Sequence, residues 1–218
     1  MVKKLKKQIY PVARFFFDKY ISKQRKYTYE GITVAIHEEV FPPKFTISTK
    51  ILLEYIKPLD LKDKNFLELG CGSGIISLFA ASKGAKVTAS DINQTAIRIL
   101  KEAAINNEIS INVVYSDLLE SLQNQEFDYI IINPPYYPKA PQNDKERAWF
   151  CGENFEYFEK LFLQLPHHLS PNTWMILSED CEIDHIKQLA IKNGLFFKLI
   201  LEKSVIREKN YIFQIEKS

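Results

Sequence analysis

The chain has 218 residues, 46% hydrophobic and 26% charged, with 7 Gly, 10 Pro, 3 Cys and a net charge of +2. That length and balance fit one compact domain and exclude disordered, collagen-like and disulfide-stapled classes. The charge is unevenly spread: residues 1–27 hold nine Lys or Arg against the single acid Asp18, so that segment is +8 and the rest −6. A basic arm on an acidic body hints at a polyanionic partner. Cys71, Cys151 and Cys181 are widely spaced and make no CxxC pair, and the adjacent His167 and His168 point apart on a helix. No metal site is expected, and a reducing cytoplasm is the expected compartment. No apolar run approaches the ~18 residues of a membrane span.

In chain order, the helical spacing of Ile9, Val12, Ala13, Phe16, Phe17, Tyr20 and Ile21 predicts an amphipathic helix over residues 9–24. A second helix is expected from Ser48, as its cap, to Ile56. Short apolar strands then alternate with helices. Strands are predicted at Asn65–Leu69, Lys86–Ser90, Ile111–Tyr115, Asp128–Ile132 and Thr173–Leu177. Helices are predicted at Ile75–Ser82, Asn93–Asn106 with Asn93 as N-cap, Phe155–His167 and Ile183–Lys192. Phe196–Glu202 and Asn210–Ile215 read as a closing antiparallel hairpin. Such alternation implies a doubly wound, mostly parallel α/β sheet. The division expected is a basic N-terminal extension over residues 1–45 and a catalytic domain over 46–218.

The most informative stretch is NFLELGCGSG, Asn65–Gly74, where a strand feeds a loop holding Gly70, Gly72 and Gly74. Glycines there permit positive φ and close approach of a ligand to N–H groups at a helix start, the nucleotide site of open α/β sheets. Residue 75 is Ile, so the third glycine of the dinucleotide fingerprint is missing. Glu68, Asp91 and Asp117 stand at the ends of three consecutive strands, where a carboxylate can accept from a ribose diol or another nucleoside edge.

The fourth strand ends in Asn133-Pro134-Pro135-Tyr136. Asn133 precedes proline and is pushed toward extended backbone, and the two prolines offer no N–H, so the turn is stiff and aims acceptors outward. Those acceptors suit a planar amino group, whose two hydrogens they hold while its lone pair is left for an electrophile. Tyr136 would stack on the flat group. Tyr137–Glu153, with Lys139, Lys145, Arg147 and Trp149, reads as a loop closing over the site.

Together LELGCGSG and NPPY resemble the class I S-adenosylmethionine-dependent methyltransferases, within them the small-domain amino-group enzymes, over residues 45–218. The resemblance implies a seven-stranded Rossmann-like sheet with a reversed last strand and S-adenosyl-L-methionine as cofactor. It implies that Glu68 with Gly70, Cys71, Gly72 and Gly74 holds the methionine end, Asp91 with Ile92 the ribose, and Asp117 with Leu118 the adenine. Asn133 would touch both cofactor and target nitrogen, aided by Pro134, Pro135 and Tyr136. The run YSDLLESLQNQEFDYIIINPPYY is similar to HemK-type protein-glutamine methyltransferases. NPPYYPKAPQNDKERAWF resembles enzymes that methylate the exocyclic amine of adenine in RNA, for which the basic arm would supply phosphate contact. A protein glutamine and an RNA amine both stand as targets. A non-catalytic nucleotide-binding module and an NAD-dependent oxidoreductase are the alternatives of a different class.

Overall fold

The first described element is a hairpin that the sequence reading did not anticipate. The computed structural model describes residues 25–40, 47–205 and 208–217; the helix expected over residues 9–24 lies outside them. β1 (Arg25–Tyr29) and β2 (Ile32–Ile36) pair antiparallel. Glu30 and Gly31 turn the chain with φ of 47° and 82°, as a tight two-residue hairpin loop requires. Ile32 and Val34 of β2 are buried in the same cluster as the helices behind them. Asn107 fastens the hairpin: its side-chain amide accepts the Thr33 N–H at 2.8 Å and donates to the Thr33 carbonyl at 2.7 Å. Residues 25–36, which were expected within the extension, therefore pack as part of the folded body.

From there the alternation follows the sequence reading closely: α1 (Ile47–Ile56), β3 (Asn65–Leu69), α2 (Ile75–Ser82), β4 (Lys86–Asp91), α3 (Gln94–Asn106) and β5 (Asn112–Tyr115). Next come β6 (Tyr129–Ile132), the short α4 (Asp144–Arg147), α5 (Glu156–Gln164), β7 (Asn172–Ser178), α6 (Ile183–Ile191), β8 (Leu195–Val205) and β9 (Glu208–Lys217). Asn93 caps α3, its side chain accepting from the N–H groups of Thr95 and Ala96.

The main sheet runs β5-β4-β3-β6-β7-β9-β8, parallel except that β9 is antiparallel to both its neighbours. The strand period of two splits its side chains between two cores. Phe66, Ile131, Trp174 and Ile176 face the hairpin, α1, α2 and α3. Leu67, Leu69, Ile130, Ile132, Met175 and Leu177 face α5 and α6. Burial on both faces explains why β6 reads as an unbroken apolar run. Among the described residues no helix is long and apolar enough to cross a membrane.

Candidate active site

The carboxyl ends of β3, β4, β5 and β6 open into a cavity of about 430 Å³. Glu68, the penultimate residue of β3, is buried and reaches across to α2, where its Oε2 accepts the Ser77 N–H at 2.8 Å and the Ser77 hydroxyl. Burial pushes its carboxyl up to about 8, against the pull of those two hydrogen bonds and with help from the nearby Asp91 charge. Asp91, closing β4, ties the glycine loop: Oδ2 accepts the Gly72 N–H and Oδ1 the Asn93 N–H, each at 2.8 Å. Burial raises this carboxyl too, opposed by the N–H groups of Asn93, Gly72 and Ile92.

In the glycine loop two positions carry the backbone argument. Gly70 has φ +75°, and a Cβ there would meet nothing within 4 Å, so it lines an open cradle at the cavity wall. Gly74 has φ +72°, and its Cβ would stand 2.2 Å from Leu100 Cδ1, so here glycine lets α2 and α3 pack together.

Of the residues singled out from sequence, Glu68, Gly70, Cys71, Gly72, Asp91, Ile92, Asp117, Leu118, Asn133 and Pro135 line this cavity. Gly74, Pro134 and Tyr136 are absent from the lining. Gly74 stands behind it at the start of α2. Pro134 is buried. The Tyr136 ring is half-buried, 4.8 Å from Tyr137 and packed on the α5–α6 core, which raises its phenol through burial. Burial holds the thiols of Cys71 and Cys151 neutral, the first raised well above its ordinary value and the second to about 11. Neither has the thiolate character of a nucleophile.

The loop after Tyr136 contributes Ala140, Pro141, Ala148 and Phe150 to the cavity lining. Its ends are joined by backbone bonds from Tyr137 N–H to the Trp149 carbonyl, 3.1 Å, and from Cys151 N–H to the Tyr137 carbonyl, 3.0 Å. Within it, α4 brings Asp144 and Arg147 to the lining, 3.3 Å apart. Trp149, expected over the substrate, is outside the lining.

Several wall residues escaped the sequence reading. Glu39 and Val40 close one side: Glu39 accepts from Asn93 Nδ2 through its carbonyl and from the Thr95 hydroxyl through its carboxylate, both at 2.8 Å. Tyr157 and Lys160 close the other from α5. Lys160 Nζ lies 2.5 Å from Asp117 Oδ2 and 2.7 Å from Glu120 Oε1. The available signal was spacing: Tyr157 and Lys160, three apart, share a face beside the apolar stripe of Phe158, Leu161 and Phe162.

Residues 31–150 match the family model described as methyltransferase small domain. The chain belongs to that family. Its alternation of strands and helices is thus that of a methyltransferase, and this reading replaces the nucleotide-module and oxidoreductase ones. The methyltransferase is 35% identical over 147 residues to a Methanocaldococcus jannaschii protein assigned as a protein N5-glutamine methyltransferase, covering 64% of this chain and 72% of that one. It is 34% identical over 120 residues to the release factor glutamine methyltransferase of Fusobacterium nucleatum, covering 52% of this chain but only 33% of that relative. A Pyrococcus furiosus methyltransferase shares its fold with a TM-score of 0.63 at 22% identity, over 96% of this chain and 100% of that one.

Proposed function

We propose that this methyltransferase binds S-adenosyl-L-methionine in the 430 Å³ cavity and methylates a planar nitrogen of a macromolecule, with a protein glutamine amide as the leading target. The observation that carries the proposal is the placement of Asn133 and Pro135 on the same cavity wall system as Gly70, Asp91 and Asp117. The residues present fit the cofactor: Gly70 leaves an open cradle, the buried Glu68 carboxyl offers an acceptor to its ammonium, and the carboxylates of Asp91 and Asp117 suit its ribose diol and adenine amine. When bound, the cofactor supplies an electrophilic methyl group on a sulfonium.

The protein's own work is alignment. Asn133, through its side-chain oxygen, and the Pro134 carbonyl are assigned to hold the two hydrogens of the target –NH₂, which turns the nitrogen lone pair toward the methyl. Orientation of this kind is worth up to ~7–11 kcal/mol in favourable cases. Tyr136 is assigned to flank the flat group, and Gly74 to hold the loop by packing. The domain so defined takes in the Arg25–Ile36 hairpin and Glu39, with the basic residues before it as the extension.

The two target classes differ in charge. Among the described residues, the charged acids Glu39, Asp91, Asp117, Asp144, Glu153 and Glu156 line the cavity against Arg147 and Lys160. That excess of acid repels a phosphate backbone and favours a polypeptide. An RNA amine is the second reading, supported by the basic arm of residues 1–27. Transfer of labelled methyl to a cell extract, followed by separate protease and nuclease digestion, decides between them: label freed by protease supports a protein target, and label freed by nuclease alone overturns it. Asn133→Ala is expected to abolish turnover while keeping affinity for S-adenosylhomocysteine, and Asp91→Ala to lose that affinity.

A further inference from the structure

Lys160 joins α5 to the turn after β5 in a way that the strand-end motifs do not account for. Its ammonium sits between Asp117 and Glu120, 2.5 and 2.7 Å away. One helical turn on, Gln164 Oε1 accepts the Leu119 N–H at 2.8 Å. α5 thus grips the 117–120 turn at a side chain and at the main chain. Between those points Leu118 has φ +55°, a left-handed backbone that a bulky residue adopts only where its surroundings impose it. Ser116 completes the brace, its hydroxyl donating to the Leu118 carbonyl at 2.8 Å and accepting the Ser121 N–H at 3.0 Å. Both Asp117 and Lys160 are more than a third exposed, at 40% and 36% for the side chains, so their pairing adds little to stability. Its consequence is orientation.

We infer that Lys160 is a positioning residue for cofactor recognition. By engaging Oδ2 of Asp117 it selects one carboxylate rotamer and directs Oδ1 into the cavity to accept an amino hydrogen of adenine. The inference rests on the proposed role of Asp117 as the adenine acceptor. A carboxylate free to rotate spends part of its time aimed at solvent, and the ligand must then restrict it on binding.

Calorimetric titration with S-adenosylhomocysteine tests this without turnover. Lys160→Gln is expected to weaken binding about 3–10-fold at unchanged melting temperature, and Lys160→Arg, which keeps the charge, to bind nearly as wild type. In an Asp117→Asn background Lys160→Gln is expected to change affinity less than about twofold, because the group it positions is already altered. Unchanged affinity in Lys160→Gln, or effects that add fully across the two sites, would overturn the inference. An unchanged affinity in Asp117→Asn alone would instead remove the adenine role of Asp117, and the inference with it.

Discussion

Glu68 takes two hydrogen bonds from a single residue, the N–H and the hydroxyl of Ser77, inside a wall where it is almost wholly shielded from water. Ser77 lies in the first turn of α2, so this pair locks the end of β3 to the start of the helix that the glycine loop introduces. It is also a source of pH dependence. The folded carboxyl is raised to about 8, whereas in the unfolded chain it titrates near the ordinary ~4.3. Between those values the folded state keeps a proton that the unfolded state has lost. The stability from this group is therefore present at low pH and is lost as pH rises through about 8. Glu68→Gln removes the titration, so the difference in melting temperature between wild type and variant is expected to vary across this window and level off outside it. A constant difference from pH 4 to 9 would contradict the raised value.

Gly70 and Gly74 share a positive φ but differ in surroundings, and alanine separates the two effects. At Gly74 the new methyl stands 2.2 Å from Leu100 Cδ1, so strain and overpacking combine to cost about 2–4 kcal/mol. At Gly70 there is space, and only the backbone term of about 1–2 kcal/mol remains. Denaturant unfolding should rank Gly74→Ala well below Gly70→Ala. Binding of S-adenosylhomocysteine should instead suffer at Gly70, whose methyl enters the cradle.

Asn107 stands in for a third strand beside the hairpin, exchanging both hydrogen bonds with Thr33. Asn107→Ala leaves that N–H and carbonyl unpaired at a half-buried position, at a cost of about 1–3 kcal/mol. Hydrogen exchange should show the Thr33 amide losing protection first, since opening the hairpin does not require the main sheet to unfold.

Cysteine chemistry gives a third check on the site. Burial raises Cys151 to about 11 and Cys181 to about 12, and Cys71 well above its usual value. A thiol reagent at neutral pH is expected to modify Cys71 and Cys151 only on unfolding and the half-buried Cys181 slowly in the folded state. Cys151→Ser is expected to keep turnover within a few-fold of wild type, and its loss would reopen a covalent role for that sulfur.

Much of the fold is legible from the residues in order. A strand buried on both faces is an uninterrupted apolar run, so Tyr129–Ile132 could be recognised without its neighbours. Asn93 announced its helix because a capping side chain bonds within its own turn. The hairpin was less visible. Arg25 and Lys26 fell within a segment dominated by its charge, although Tyr27, Tyr29, Ile32 and Val34 alternate about Glu30-Gly31 as strands do.

What sequence by itself determined was everything local: the glycine loop, the acids closing successive strands, and the proline-stiffened turn at Asn133, each set by backbone geometry within a few residues. What only tertiary structure decided was which of those residues share a cavity and what else joins them. Gly74 belongs to the loop by spacing, but its glycine is required by Leu100 on a different helix. Lys160 carried no motif, and its meaning comes from Asp117, 43 residues earlier in the chain. Contacts of that separation depend on how α5 crosses the sheet, and no spacing along the chain encodes a crossing.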